Sequence, residues 1–291
     1  MASGYTISSS LAELIPEITL AAEYIYQDKA LGRSLVKARD ITGIPGSTVE
    51  FPRWTEVAGD TAFTNEYDSP TSHAMDLSMP TLTVVRRAVF VLLSDMAKAA
   101  ATANVADIGK AMAMAKVKQD DALMFGVLTG TTNWTTGTGA TNAAFSVEYV
   151  KDGILLLEKN EVDDQFVIVV HPHQYDAIRD QLTPVANDNG ISVPQAGEMM
   201  RSAFVSTLFG ANWFKSNRIG SGTVTATANV YNGLLFPLGE GIGYGYRALE
   251  VDGVEAERDA EAASTKLIWN YADSAGVVYA SAVCKLYSTS S

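Results

Sequence analysis

The sequence is poor in cysteine and histidine. Among its 291 residues there are one cysteine, Cys284, and three histidines. A single cysteine excludes an internal disulfide framework and fits a reducing compartment. No group of Cys and His residues has the spacing of zinc ligands, so the sequence predicts no metal site.

Basic residues and long apolar runs are also scarce. The 21 Lys and Arg residues are outnumbered by 33 Asp and Glu, which gives a net charge of -12. Sequence-independent binding of nucleic acid needs many cations against phosphates, so any contact with DNA is expected to be weak and unspecific. No run of about 18 apolar residues is present to span a membrane. The first residues also lack the basic and apolar regions of a signal peptide, so we predict no membrane partner and no export.

The remaining composition is that of a globular chain, with 47% hydrophobic and 19% charged residues. Its length suggests about two domains. The clearest helical pattern covers residues 104–130, where Asn104 is placed to cap the start and Gly130 to cap the end. At 1.5 Å per residue this helix would be roughly 35–40 Å long and would lie across the molecule. Its predicted buried face consists of Val105, Ile108, Met112, Ala115, Gln119 and Ala122, and Leu123, Val127 and Leu128 broaden this face near the C-terminal end.

Before this helix the pattern changes to a period of two, which is typical of strands. Residues 48–53 alternate in this way, a second extended run follows at 82–91, and a long polar segment, residues 56–76, separates the two. The two runs predict a long hairpin. A connection of that length is usually functional or disordered, and reaching another subunit is one such function.

After the helix, a Thr/Gly/Asn-rich connector leads into alternating helices and strands. Ser146 is placed to cap one helix, residues 166–170 read as a buried strand, and a second helix follows His171. From residue 229 the chain is largely extended again, and it ends in predicted strands at 266–271 and 276–287. We expect these last strands to pair with those that precede the long helix.

The sequence offers little that resembles a catalytic site. His171 and His173 flank Pro172, but no acidic or Cys cluster accompanies them, so surface histidines in a turn are the simpler interpretation. The glycines between Gly239 and Gly245 do not spell a dinucleotide-binding motif. Glycines that alternate with aromatic residues in a strand indicate a bend or a close backbone approach. We predict no cofactor and no enzymatic activity.

The predicted parts follow one another as an N-terminal arm, a long hairpin, a short helix, the long helix, an α/β insertion and returning strands. Three runs within them are characteristic: Leu93-Ser-Asp-Met, the run from Ala115 to Gly130 (AKVKQDDALMFGVLTG), and Val167-Ile-Val-Val-His-Pro leading into Tyr175. In this order of parts and in these runs the chain resembles the major capsid proteins of tailed bacteriophages, whose shell fold encapsulins share.

The resemblance implies an α+β fold of the phage-capsid type, in which the long helix is the spine. Its parts would be an N-terminal arm at 1–47 and an extended-loop hairpin at 48–92. A peripheral domain would combine 93–145 with 229–291 and contain the spine helix at 104–130. An inserted α/β axial domain would occupy 146–228.

The implied function is a major capsid protein that assembles with itself, as hexamers and pentamers, into the icosahedral head shell around double-stranded DNA. Many relatives begin with a scaffolding segment that a protease removes, and none is expected here because the sequence starts at Met1 without one. Scaffolding is therefore expected from a separate protein or not at all. Portal and decoration proteins are further expected partners, and assembly is expected in the host bacterial cytoplasm. Two alternatives remain open, an encapsulin-like compartment and a soluble α/β enzyme built around residues 146–240.

Six residues in and beside the hairpin are candidates for subunit contacts. Aromatic side chains are enriched at interface hot spots, and arginines pair readily with acidic surfaces. An alternative for Trp54 and Phe63 is that they pack beneath their own hairpin. The complete candidate set is Arg53, Trp54, Phe63, Tyr67, Arg86 and Arg87.

Overall fold

The structure is a computed structural model of the 291-residue chain. It describes residues 22, 30–54, 67, 75–94, 105–127, 133–135, 145–162, 165–182, 207–219, 221–225, 228–249, 254–259 and 261–289. Among the helices within these ranges, none has the length and hydropathy that crossing a membrane requires. Most of the predicted N-terminal arm, the predicted short helix after Ser94 and most of the hairpin tip lie outside the described residues.

Four α-helices are described. They are α1 (Gly32–Leu35), α2 (Val105–Phe125), α3 (Val147–Lys159) and α4 (Pro172–Leu182). The Ser146 hydroxyl accepts the Tyr149 N–H at 3.4 Å, so the predicted cap of α3 is confirmed. The spine helix is also confirmed as α2, although it ends at Phe125.

The buried face of α2 differs from the predicted one in its second half. Gln119 and Ala122 are exposed, whereas Asp120 and Asp121 are buried. Apolar periodicity cannot find this face because it includes two carboxylates, and Asp121 is stabilised there by an ion pair with Arg218.

Five strands form the first sheet. They are β1 (Lys37–Asp40), β6 (Val85–Ser94), β13 (Ile242–Arg247), β14 (Val254–Asp259) and β15 (Ser264–Val277). The long β15 pairs antiparallel with β6, β13 and β14, and β1 adds parallel to β13. The predicted pairing of a returning strand with one that precedes the spine is therefore confirmed for β15 and β6.

The hairpin contributes two short ladders. Its strands are β2 (Thr48–Glu50), β3 (Arg53–Trp54), β4 (Leu77–Ser78) and β5 (Thr81–Thr83). Strand β2 pairs antiparallel with β5, and β3 pairs antiparallel with β4. The two runs predicted as hairpin strands are thus joined as expected.

Seven strands form the second sheet, which lies against α3 and α4. They are β7 (Asn133–Thr135), β8 (Phe166–Val170), β9 (Thr207–Leu208), β10 (Ala211–Lys215), β11 (Ser221–Thr225), β12 (Ala228–Pro237) and β16 (Cys284–Thr289). Strand β12 lies between β8 and β16 and pairs antiparallel with both.

The second sheet corrects two expectations. Residues 276–287 are not one strand, because β15 stops at Val277 and a 3-10 helix, Ala280–Ala282, turns the chain into β16. Strand β16 then pairs with β12 and β7 rather than with a strand that precedes the spine. As a result, the sheet extends across the predicted boundary between the axial domain and the peripheral domain at residues 228 and 229.

The spine helix packs against both sheets. Met112, Ala113 and Val117 in its first half pack with Val89, Leu267 and Trp269 of the five-stranded sheet. Met124 and Phe125 at its end pack with β8 and β12 of the seven-stranded sheet, through Val167, Val169, Leu234 and Phe236. The helix therefore lies across the molecule, as its length predicted.

Candidate subunit-interface surfaces

The base of the hairpin is fixed to the body of the chain. Its strands are closed by backbone bonds in which Phe51 N–H donates to the Pro80 carbonyl at 3.0 Å and Val84 N–H donates to the Ser47 carbonyl at 2.7 Å. On one side, Val49 and Phe51 are buried in a small apolar cluster with Ile41, Val84 and Ala272. The hairpin therefore has a defined attachment to the five-stranded sheet.

Beyond this attachment the hairpin carries exposed aromatic side chains. Trp54 is 62% exposed and Tyr67 is 94% exposed. Leu77, which is opposite Trp54 in the ladder, is 42% exposed. Phe63 lies outside the described residues. The exposure of Trp54 argues against packing beneath its own hairpin, and it leaves this indole available to a second chain.

The three candidate arginines each contact a group of their own chain. The guanidinium carbon of Arg53 lies 3.2 Å from the centre of the Tyr279 ring. Arg86 donates to the Asn270 side-chain oxygen at 2.9 Å. Arg87 forms an ion pair with Asp273 at 2.8 Å. Their pairing with an acidic surface of a neighbouring chain stays a prediction.

Arg87 differs from the other two because its partner is buried. Asp273 is 1% exposed, and the Tyr244 hydroxyl also donates to it, at 3.5 Å. A carboxylate so far from water needs a cation beside it. Arg87 therefore serves the internal electrostatics of the five-stranded sheet, and the more exposed Arg53 and Arg86 are better placed for contacts between chains.

Sequence reasoning missed two exposed apolar residues of β6. The strand turns Val89 and Val91 toward the spine, while Phe90 and Leu92 point to the opposite side and are 54% and 56% exposed. Ile268 is opposite Phe90, and Glu255 is opposite Ile268 in the next strand. The unbroken apolar run from Ala88 to Leu93 is the signal that could have found them, since it leaves no polar face.

Asp121 of the spine joins three segments of the chain. One of its carboxylate oxygens accepts the Gly32 N–H at 3.0 Å, and the other is paired with the Arg218 guanidinium in the turn after β10. Burial raises the pKa of Asp121, and the contacts with Gly32 and Arg218 oppose this rise. The start of α1 and the turn after β10 are thus both attached to the spine.

The two histidines at the end of β8 form an aromatic stack. The His171 and His173 rings are 5.4 Å apart, and each lies 4.5 Å from the Tyr231 ring. Burial and the neighbouring His173 both lower the pKa of His171. Within the described ranges, no group of three or more His, Cys, Asp or Glu residues is placed to hold a metal ion. The stack packs the end of the strand against β12.

The structure thus combines a hairpin that is fixed at its base, a spine helix that contacts two sheets, and apolar side chains that are exposed on the hairpin and on β6. A family model described as phage capsid protein matches residues 79–286, which is most of the chain. The chain belongs to this family of phage capsid proteins. It is a major capsid protein, a structural component of the shell of a bacteriophage virion. No curated protein sequence matches the chain.

Solved structures show the same fold at low sequence identity. A structure from Mycobacterium phage Che8 is 18% identical, covers 88% of this chain and 90% of its own, and has a TM-score of 0.66. The capsid of Ralstonia phage GP4 is 9% identical, covers 90% and 92%, and has a TM-score of 0.68. A virus-like particle from Pyrococcus furiosus is 11% identical, covers 94% and 99%, and has a TM-score of 0.56. The predicted phage-capsid fold is confirmed.

Proposed function

We propose that copies of this chain join as hexamers and pentamers into an icosahedral head shell that encloses double-stranded DNA. The observation that carries the proposal is the exposure of Trp54 on a hairpin whose base is buried in its own chain. Because the base of the hairpin is fixed, the exposed apolar area of this large indole is removed from water only when a second molecule covers it. The copy next to it in the shell is that molecule.

Within this proposal, Trp54, Phe63 and Tyr67 are the apolar anchors of the contact. Arg53 and Arg86 supply cations to the acidic surface of the adjacent copy. The exposed Phe90 and Leu92 are a second face that a copy covers. Stable interfaces bury on the order of 1,600 Å² in total, so the hairpin and the β6 face together provide the kind of extended surface that tiling needs.

We also propose the domain division of the phage-capsid fold for this chain, with one adjustment. The arm at 1–47, the hairpin at 48–92 and the start of the axial domain at 146 are kept. Because β12 and β16 pair within the seven-stranded sheet, we count residues 228–237 and 284–289 with the axial domain. The peripheral domain then contains the spine and the five-stranded sheet.

Contact with the packaged DNA is proposed to be weak and independent of sequence. The net charge of -12 supports this, since a wall that repels phosphates does not hinder filling. A tight gel shift with duplex DNA at physiological salt would contradict it. A separate scaffolding protein, a portal and decoration proteins are the further partners proposed, with assembly in the cytoplasm of the bacterial host and no catalytic role.

An encapsulin-like compartment is the second candidate. It is favoured by the likeness to the virus-like particle from Pyrococcus furiosus, which covers 94% of this chain. The two functions differ in what the shell contains. Shells isolated from infected cells that carry a viral genome support the capsid, and shells that carry one enzyme cargo support the compartment.

The test of assembly compares Trp54→Ala with Leu155→Ala. Leu155 is 47% exposed on α3 and serves as the matched control for loss of an exposed apolar side chain. Both variants are expected to fold like the wild type, as measured by circular dichroism. Negative-stain microscopy should show closed particles for the wild type and Leu155→Ala, with at least tenfold fewer for Trp54→Ala. Equal particle yields for all three would exclude Trp54 as an anchor.

A further inference from the structure

The outer face of the five-stranded sheet, which is turned away from the spine, carries three glycines close together. Gly243 in β13 is the register partner of Gly276 in β15, and Gly245 follows two residues later on the same side of β13. Between them Tyr244 points the other way, into the cluster that contains Met124 and Phe125 of the spine. The outer face therefore has a patch without side chains, which we call the glycine floor (Gly243, Gly245 and Gly276).

The base of the hairpin rests on this floor. A Cβ atom added to Gly245 would lie 2.5 Å from Val49 Cγ2 and 3.1 Å from Val49 Cβ. One added to Gly243 would lie 2.9 Å from the Phe51 ring and 2.3 Å from Val278. These distances are shorter than carbon atoms tolerate, so only hydrogen atoms fit between the sheet and the hairpin.

The floor positions are not equivalent, because their neighbours differ in freedom to move. Val49 is β-branched and 1% exposed, so it cannot turn aside, and a Cβ at Gly245 would push on its strand. The atom nearest to a Cβ at Gly276 would be Leu82 Cδ2, at 2.4 Å, which is the far end of a half-buried side chain. Leu82 can change rotamer where Val49 cannot.

We propose that Gly243 and Gly245 are positioning residues that set the height and tilt at which the hairpin leaves the sheet. Trp54 lies only a few residues beyond Val49, so a shift of β2 is carried directly to the anchor that meets the next copy. The angle between adjacent copies, and hence the curvature of the shell, follows from this seating. The second step rests on the proposed function, whereas the first concerns a single chain.

The seating is tested on the unassembled protein by the distance between two spin labels. One label is attached through Ser78→Cys on the hairpin and the other through Glu257→Cys on β14, both at exposed positions. The native Cys284 is fully buried and does not compete for the label. Pulsed electron paramagnetic resonance then reports the position of the hairpin relative to the sheet.

Gly245→Ala is expected to shift the label-to-label distance, and Gly276→Ala is expected to shift it less. The matched control is Gly126→Ala, where an added Cβ meets nothing within 4 Å. In the double variant Gly245→Ala with Val49→Ala the clash is relieved, so the distance should return toward the wild-type value. A Gly245→Ala distance equal to the control, or no return in the double variant, would overturn the proposal.

Circular dichroism identifies a variant that does not fold. If Gly245→Ala fails in this way, its rescue by Val49→Ala still supports the seating, and a failure to be rescued contradicts it.

Particle diameter, measured by electron microscopy, tests the second step, which is the link between the seating of the hairpin and the curvature of the shell. Shifted hairpins that still give wild-type diameters would overturn the link to curvature. A wild type that forms no particles under any condition would count against the proposed function and leave the seating result standing.

Discussion

The two sheets of this chain are covered to different extents. In the seven-stranded sheet every residue of β8 is buried, with Ile168 and Val170 facing the helices α3 and α4 and Val167 and Val169 facing the end of the spine. In the five-stranded sheet, β6 alternates, and its outer side chains Phe90 and Leu92 are more than half exposed. Strand β8 is therefore covered on both sides within a single chain, whereas β6 has one side partly free.

This difference separates what folds the chain from what assembles it. Apolar burial on both sides stabilises β8 without a partner. In the proposed shell, the free half of the outer face of the five-stranded sheet gains the same kind of stabilisation when another copy lies on it. The glycine floor occupies the other half of that face, where the hairpin covers it. A shell protein needs both conditions, because it must fold as a monomer and still favour association.

The largest loss of unfolding free energy, and so the strongest test of the difference between the two sheets, is expected from Phe236→Ala. Phe236 is fully buried in β12, and loss of a buried phenylalanine costs about 3–5 kcal/mol. The matched change in the other sheet, Phe90→Ala, removes a side chain that is 54% exposed, so the isolated chain should lose no more than about 0.5 kcal/mol. Chemical denaturation of the unassembled protein measures both. Equal losses would show that the sheets do not differ as described.

A smaller loss in unfolding free energy is expected where α1 and the turn after β10 are attached to the spine. Arg218→Ala removes the cation beside the buried Asp121 carboxylate, which should cost about 3 kcal/mol in unfolding free energy. Asp121→Asn keeps an acceptor for the Gly32 N–H and removes the charge, so it should cost less. Denaturant titration of the single variants and of the double variant tests the pair. Strictly additive losses would contradict the coupling of these two residues.

The smallest expected effect is a pH dependence of the unfolding free energy that comes from His171, at the end of β8 in the seven-stranded sheet. Burial and His173 lower the pKa of His171 below its ordinary value of 6.5. The folded chain then binds this proton less readily than the unfolded chain, so stability decreases as the pH falls from about 6.5 through the lowered pKa. His171→Asn should reduce this slope below about pH 6.5. An unchanged slope in the variant would exclude His171 as its source.

Much of the fold follows from local patterns. The helical repeat of residues 105–125, the Ser146 cap and the apolar run of 166–170 are visible in the sequence because each depends on residues close along the chain. The alternating glycines indicated a bend or a close backbone approach, and the structure places side chains directly against the backbone of Gly243 and Gly245. What approaches them could not be read, since Val49 and Phe51 lie almost 200 positions earlier.

The errors have the same origin in long-range contacts. A carboxylate such as Asp121 is assigned to the surface unless its distant partner Arg218 is known. The alternation in β16 predicts a strand but does not show which sheet it joins. The turn at Ala280–Ala282 directs it to β12. Of the candidate contact residues, the exposure of Trp54 and Tyr67 agrees with their selection. The exposure of Phe90 and Leu92 was not predicted, because an apolar run does not show which of its two sides lacks a cover.

The late position of β15 in the chain also determines when the hairpin can be fixed during synthesis. The residues that hold the base of the hairpin include Ala272 and Gly276, which are synthesised close to the end of the chain. Because a nascent chain folds as its parts emerge, polypeptides still attached to one messenger do not yet present a positioned hairpin to one another. The contacts that position the hairpin are therefore completed only when synthesis of the chain is nearly finished.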